Sequence, residues 1–110
     1  IPAPLPEQFA AIKADGNLQL HDITGLNVGY LAFNTQKKPF DNLLVRQALS
    51  YAVDKKAIVA AVFKDSGTPA NSLLPPGMLG YNDKLPEYAY DPQKARELLK
   101  QAGLEQGFET

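Results

Sequence analysis

Cysteine is absent from the chain, and histidine and methionine each occur once. The first absence removes disulfides, thiolate nucleophiles and thiolate metal sites together. It leaves the compartment open, since a protein without disulfides can reside anywhere. A dominant charge is also missing: 11 Lys and Arg against 12 Asp and Glu give a formal net charge of −1, so there is no electrostatic footprint for nucleic acid. No hydrophobic run approaches the roughly 18 residues of a membrane span, and direct membrane insertion is not expected. No internal repeat is evident. Ile1 is not followed by a charged n-region and an apolar h-region, so the chain reads as a segment without a visible signal peptide. What is present is an ordinary globular composition, 45% apolar and 21% charged over 110 residues, enough for one modest core.

The most informative stretch is 27–62. Residues 28–33 are apolar-rich and of strand type, and they run through Asn34-Thr35-Gln36-Lys37-Lys38-Pro39 into an amphipathic helix. Val45, Ala48, Leu49, Ala52 and Val53 recur at the spacing that buries one helical face. Asp41 or Asn42 is placed to accept its first orphan amides, and Asp54 offers a second N-cap to a short helix striped by Ile58, Val59 and Val62. Upstream, the prolines at 2, 4 and 6 exclude regular helix at the start of the chain. Residues 7–14 read as a short helix with Phe9 and Ile12 on its apolar side, and 18–22 alternate as a half-buried strand does. Downstream, 64–69 form a polar turn cluster, and 70–90 lack periodicity because Pro75-Pro76-Gly77, Gly80 and Pro86 break any long element. Tyr81, Leu85, Tyr88 and Tyr90 are the candidates to pin that loop. Asp91-Pro92 reads as N-cap and first residue of a last helix with Ala95, Leu98, Leu99 and Ala102 on its stripe. Gly103 suits the left-handed position after it, with Leu104 packing back.

Catalytic chemistry finds little support. His21 lacks a partner motif, and Asp22 projects to the opposite face of a strand, so His21 reads as structural or exposed. Ser50, Ser66 and Ser72 have no nucleophile-elbow context. Asp41, Asp54 and Asp91 are explained as caps. No phosphate-binding glycine motif occurs, and one histidine with scattered carboxylates is a poor start for a metal site. No cofactor is expected. Lys37-Lys38 and Lys55-Lys56 read as solvated corners.

Taken in order, Tyr30-Leu31-Ala32-Phe33-Asn34-Thr35-Gln36-Lys37, Val45-Arg46-Gln47-Ala48-Leu49-Ser50-Tyr51-Ala52-Val53-Asp54-Lys55, Leu74-Pro75-Pro76-Gly77-Met78 and Tyr90-Asp91-Pro92-Gln93-Lys94-Ala95 closely resemble the peptide-binding family of periplasmic solute-binding proteins. These serve dipeptide and oligopeptide ABC importers, and relatives bind haem, nickel complexes or antimicrobial peptides. The resemblance implies an internal fragment of a larger, two-lobed periplasmic binding protein. Its fold is expected to be α/β or α+β, a few-stranded sheet with about four short helices. Residues 1–26 would be an inter-lobe or lobe-edge segment and 27–110 a helix-rich lobe segment.

The implied function is capture of di- or short peptides by lobe closure and delivery to membrane permease subunits. The location would be periplasmic, or extracellular and membrane-anchored in a Gram-positive source. Alternation places Tyr30, Ala32 and Asn34 on one face and Leu31 and Phe33 on the other. Ala32 aligns where oligopeptide-binding relatives can carry an acidic side chain near the peptide, and Phe63 where they can carry a lysine; both departures remove charge and favour a shorter or differently charged ligand. Tyr30, Ala32, Asn34 and Phe63 are therefore the candidate ligand-binding residues, although Tyr30 and Phe63 suit a packing role equally well. The groups that clamp peptide termini in dipeptide-binding relatives lie outside these residues, so these 110 residues alone are expected to bind peptides weakly or not at all. The rivals are a small enzyme using His21 and an interaction module using the loop after Pro75.

Overall fold

In the computed structural model, which describes residues 4–21, 23, 25–64 and 66–109, the core forms where two amphipathic stripes meet. Helix α2 (Leu43–Ala52) presents Val45 and Ala48, and α4 (Pro92–Gln101) presents Ala95 and Leu98. Among the described residues these four side chains are the buried hydrophobic ones, with Val45 fully excluded from solvent. Small residues at 48 and 95 let the two helices approach closely. The start of α4 is tied to the end of α2 by the Asp91 amide, which donates to the Tyr51 carbonyl at 2.9 Å.

Each helix end follows from its sequence. Asn42 caps α2 by accepting from the Leu44 amide, Asp54 caps the short α3 (Lys55–Ile58) by accepting from the Ala57 amide, and Asp91 caps α4 by accepting from the Lys94 amide. Of the two residues open to that role before α2, Asn42 is the one used. Pro92 follows its cap at the position where a missing amide is no loss. At the other end of α4, Gly103 adopts φ 74°, its amide bonds the Lys100 carbonyl, and the Leu104 amide reaches the Leu99 carbonyl at 2.8 Å. That is the paired closure of a Schellman turn, with half-buried Leu104 folded back. Replacing Asp91 with alanine is expected to destabilise α4 by about 1 kcal/mol. Amide exchange should then accelerate in its first turn while α2 keeps its protection.

The N-terminal region holds a 3₁₀ turn, Pro6–Gln8, leading into α1 (Phe9–Ala14), which matches the helix expected over 7–14. After α3 the backbone widens into a π-helical turn, Val59–Phe63, ending at Lys64 in the left-handed region. The stripe of this unit is not covered: Ile58 and Val62 are exposed.

The expected sheet differs from what is found. Residues 28–33 and 18–21 are not in strands, and no β-strand is present among the described residues; Asp22 lies outside them. An extended segment becomes a strand only when a neighbour takes its amides and carbonyls, and no described segment does so here. The helices were legible because their bonds are internal. The radius of gyration, 18.3 Å, exceeds the about 13 Å of a compact chain this long. The α2–α4 pair is thus a small packed centre within an elongated body measuring 60 × 32 × 23 Å.

Candidate functional site

In the run 28–34 Val28 and Phe33 are half-buried, while Leu31 is exposed at 72%. Leu31 and Phe33 line an open depression of about 260 Å³ together with Leu49, Ser50 and Val53 around α2 and Ala70, Asn71, Pro86, Glu87 and Tyr88 from the long loop. Tyr30, Ala32 and Asn34 are exposed, Tyr30 at 72%. The alternation expected of a strand therefore does not divide the run by exposure: Phe33 is sheltered and Leu31 is not. Asn34 also begins the connector: its side-chain oxygen accepts from the Gln36 amide at 3.0 Å and its carbonyl from the Lys37 amide at 3.0 Å. Phe63 is elsewhere, at the end of the π-helical turn and half exposed, against Gly67, where an added Cβ would lie 3.1 Å from the Phe63 Cβ. Three of the four candidate residues thus share one segment and Phe63 lies apart, and none of the four lines the depression.

The supporting contacts come from residues whose role the sequence hid. Lys55, read as part of a solvated corner, instead donates to the Ala70 carbonyl at 3.0 Å and pairs with Glu87 at 3.2 Å. One ammonium thereby fastens two points of the long loop beside the start of α3. Tyr51 meets Tyr88 edge-on at 5.1 Å, holding the same loop to α2. Arg46 reaches backwards, its Nη1 donating to the carbonyls of Phe40 at 2.7 Å and Asp41 at 3.0 Å. A sequence signal existed for both. Cations in a first helical turn oppose the macrodipole, and Arg46 and Lys55 each sit there and each spend their donors on oxygens outside the helix.

A second depression of about 370 Å³ lies between the connector and the end of α4, lined by Lys38, Pro39, Asp41, Asn42, Ala102 and Leu104. His21 is exposed, and among the described residues its side chain makes no hydrogen bond to another residue. Among the same residues no three His, Asp or Glu side chains gather as a metal site would require, and no helix is long and apolar enough to cross a membrane. An exposed segment carrying Tyr30 and Asn34 beside α2 can line a cleft for a bound molecule.

Comparison with known proteins decides the lineage. Residues 1–110 match the bacterial extracellular solute-binding proteins, family 5 Middle. The chain belongs to this family. Within the solute-binding family it is 54% identical over 108 residues to the dipeptide-binding protein of Escherichia coli K12, covering 98% of this chain and 20% of that protein. It is 56% identical over 102 residues to haem-binding protein A of Haemophilus influenzae, covering 93% of this chain and 19% of that one. Among solved structures, the periplasmic binding protein DppA of Helicobacter pylori in complex with the peptide STSA superposes with a TM-score of 0.86 at 34% identity, covering 98% of this chain and 21% of that one. The chain thus spans about a fifth of the length of the curated relatives it matches, and it is similar to a fragment of a periplasmic binding protein.

Proposed function

We propose that this chain is part of the substrate-binding component of an ABC importer that captures di- or short peptides. The observation that carries this reading is the 54% identity to a dipeptide-binding protein across 98% of the chain. In the whole receptor, ligand enters between two lobes, a hinge closes, water is excluded, and the closed form is delivered to the permease subunits. Binding and population shift do the work, with no covalent step. Residues 1–26 belong to an inter-lobe or lobe-edge segment and 27–110 to the helix-rich part of one lobe. Residues 28–33 add as a strand to a sheet whose other members lie outside this chain, which accounts for their extended, unpaired backbone here. The location is periplasmic, or extracellular and membrane-anchored in a Gram-positive source.

Tyr30, Ala32, Asn34 and Phe63 border the ligand cleft in this reading. The exposure of the first three supports it. Ala32 supplies no charge to meet a distant peptide terminus, which favours a short ligand.

The identity of 56% to a haem-binding protein favours a second reading, haem as cargo. Thermal unfolding of the full-length receptor with a dipeptide, haem or a nickel complex separates the two. A ligand held by the native state stabilises it by about 2.7 kcal/mol at one hundred times its dissociation constant. The dipeptide is expected to raise the midpoint. A rise with haem alone would replace the peptide reading.

A further inference from the structure

We infer that Arg46 is a positioning residue for ligand binding, holding the connector that presents Tyr30, Ala32 and Asn34 to the cleft. This rests on the reading of those three side chains as cleft residues. The Arg46 Nη1 donates to two successive carbonyls, Phe40 at 2.7 Å and Asp41 at 3.0 Å, just ahead of the α2 cap at Asn42. Arg46 and Phe40 are both half-buried, and a hydrogen bond from a charged donor is stronger than one between neutral groups. Its location in the first turn of α2 opposes the helix dipole, and the two carbonyl oxygens compensate that charge.

Fixing the Phe40 carbonyl fixes the residue that carries it. The Phe40 ring stacks on Phe33 with centroids 5.5 Å apart and planes 24° apart, and it meets Phe108 edge-on at 6.0 Å. Phe33 is thereby held half-buried against Phe40, with its neighbours Ala32 and Asn34 exposed. The intervening chain is stitched by turn hydrogen bonds: the Gln36 amide to the Asn34 side chain, the Lys37 amide to the Asn34 carbonyl, the Phe40 amide to the Lys37 carbonyl and the Asn42 amide to the Pro39 carbonyl. A continuous path of hydrogen bonds and one aromatic stack therefore joins the guanidinium to Asn34. Because both Arg46 bonds leave from a single nitrogen, a planar fork is not required, and a lysine ammonium can take over the same task.

The test uses the full-length receptor titrated with the dipeptide Ala-Ala, comparing Arg46→Met, Arg46→Lys and Ala32→Trp. Methionine keeps an apolar stem but no donors, so it separates hydrogen bonding from packing. Arg46→Met is expected to weaken Ala-Ala binding roughly tenfold, while Arg46→Lys stays within about threefold of the parent. Amide exchange over residues 34–40 of the ligand-free receptor should rise in the methionine variant and not in the lysine variant. If Arg46→Met binds as tightly as the parent while Ala32→Trp blocks binding, Arg46 has no positioning role and the cleft reading stands. If Ala32→Trp binds normally, the cleft reading fails and the positioning role falls with it. Equal losses for the methionine and lysine variants with no rise in exchange over residues 34–40 in either would mean that Arg46 does not act by holding the connector, and would overturn the proposal.

Discussion

Replacing Val45 with aspartate is expected to undo the α2–α4 pair. Among the described residues Val45 is the largest fully buried side chain, and it sits where α2 meets the Ala95 and Leu98 stripe of α4. A carboxylate there would have no partner: among the described residues no buried polar or charged side chain accompanies it. Burying an unpaired charge costs several kcal/mol even after the group protonates or the site relaxes, a large share of the about 5–15 kcal/mol that holds a typical domain together. Helical circular dichroism of the full-length protein should fall, and amide protection should be lost in α2 and α4 together. Leu43→Asp is the matched control, because Leu43 lies on the same helix but is 56% exposed; surface changes of this kind usually stay within about 0.5 kcal/mol. Retained protection of α2 and α4 in the Val45 variant would mean that this pair is not the centre of the fold.

The largest expected effect on binding is at Ala32. Its methyl group lies on the exposed face of the segment 28–34, between Tyr30 and Asn34. The neighbouring Phe33 is half-buried and stacked on Phe40, which anchors the segment while position 32 stays exposed. Ala32→Trp should therefore leave the α2–α4 core intact and fill the space a ligand needs when the lobes close. Forcing bulk into a packed interface costs about 1–3 kcal/mol, which corresponds to a roughly 5- to 150-fold weaker dissociation constant. Titration calorimetry reads this directly, and an unchanged thermal midpoint without ligand confirms that folding is unaffected. Unaltered peptide affinity would remove Ala32 from the cleft.

The helices could be read from the sequence because their determinants are local. The stripes of α2 and α4, the caps at Asn42, Asp54 and Asp91, and the left-handed turn at Gly103 each depend on residues within a few positions of one another. The sheet could not be realised by the same means. Residues 28–33 have the alternation of a strand, but pairing depends on a neighbour that no local pattern specifies. Ile58 and Val62 show the other side of that limit: their periodicity was correct, yet nothing among the described residues covers them. Alternation over 30–34 agrees with the half-buried Phe33 but not with Leu31, which is 72% exposed. The roles of Arg46 and Lys55 left only the hint of a cation in a first helical turn, because a long cation reaching back to a carbonyl, or across 15 residues to Ala70, leaves no periodic trace. Family membership came from the order of several short words along the chain, which carries information that no single element does.

The most direct test of the receptor assignment is isothermal titration of the ligand-free, full-length protein with a dipeptide, using haem as the competing ligand in a parallel titration. The account predicts saturable one-to-one peptide binding at micromolar or tighter affinity and a far weaker response to haem. Haem binding with no measurable heat from any di- or tripeptide would contradict it.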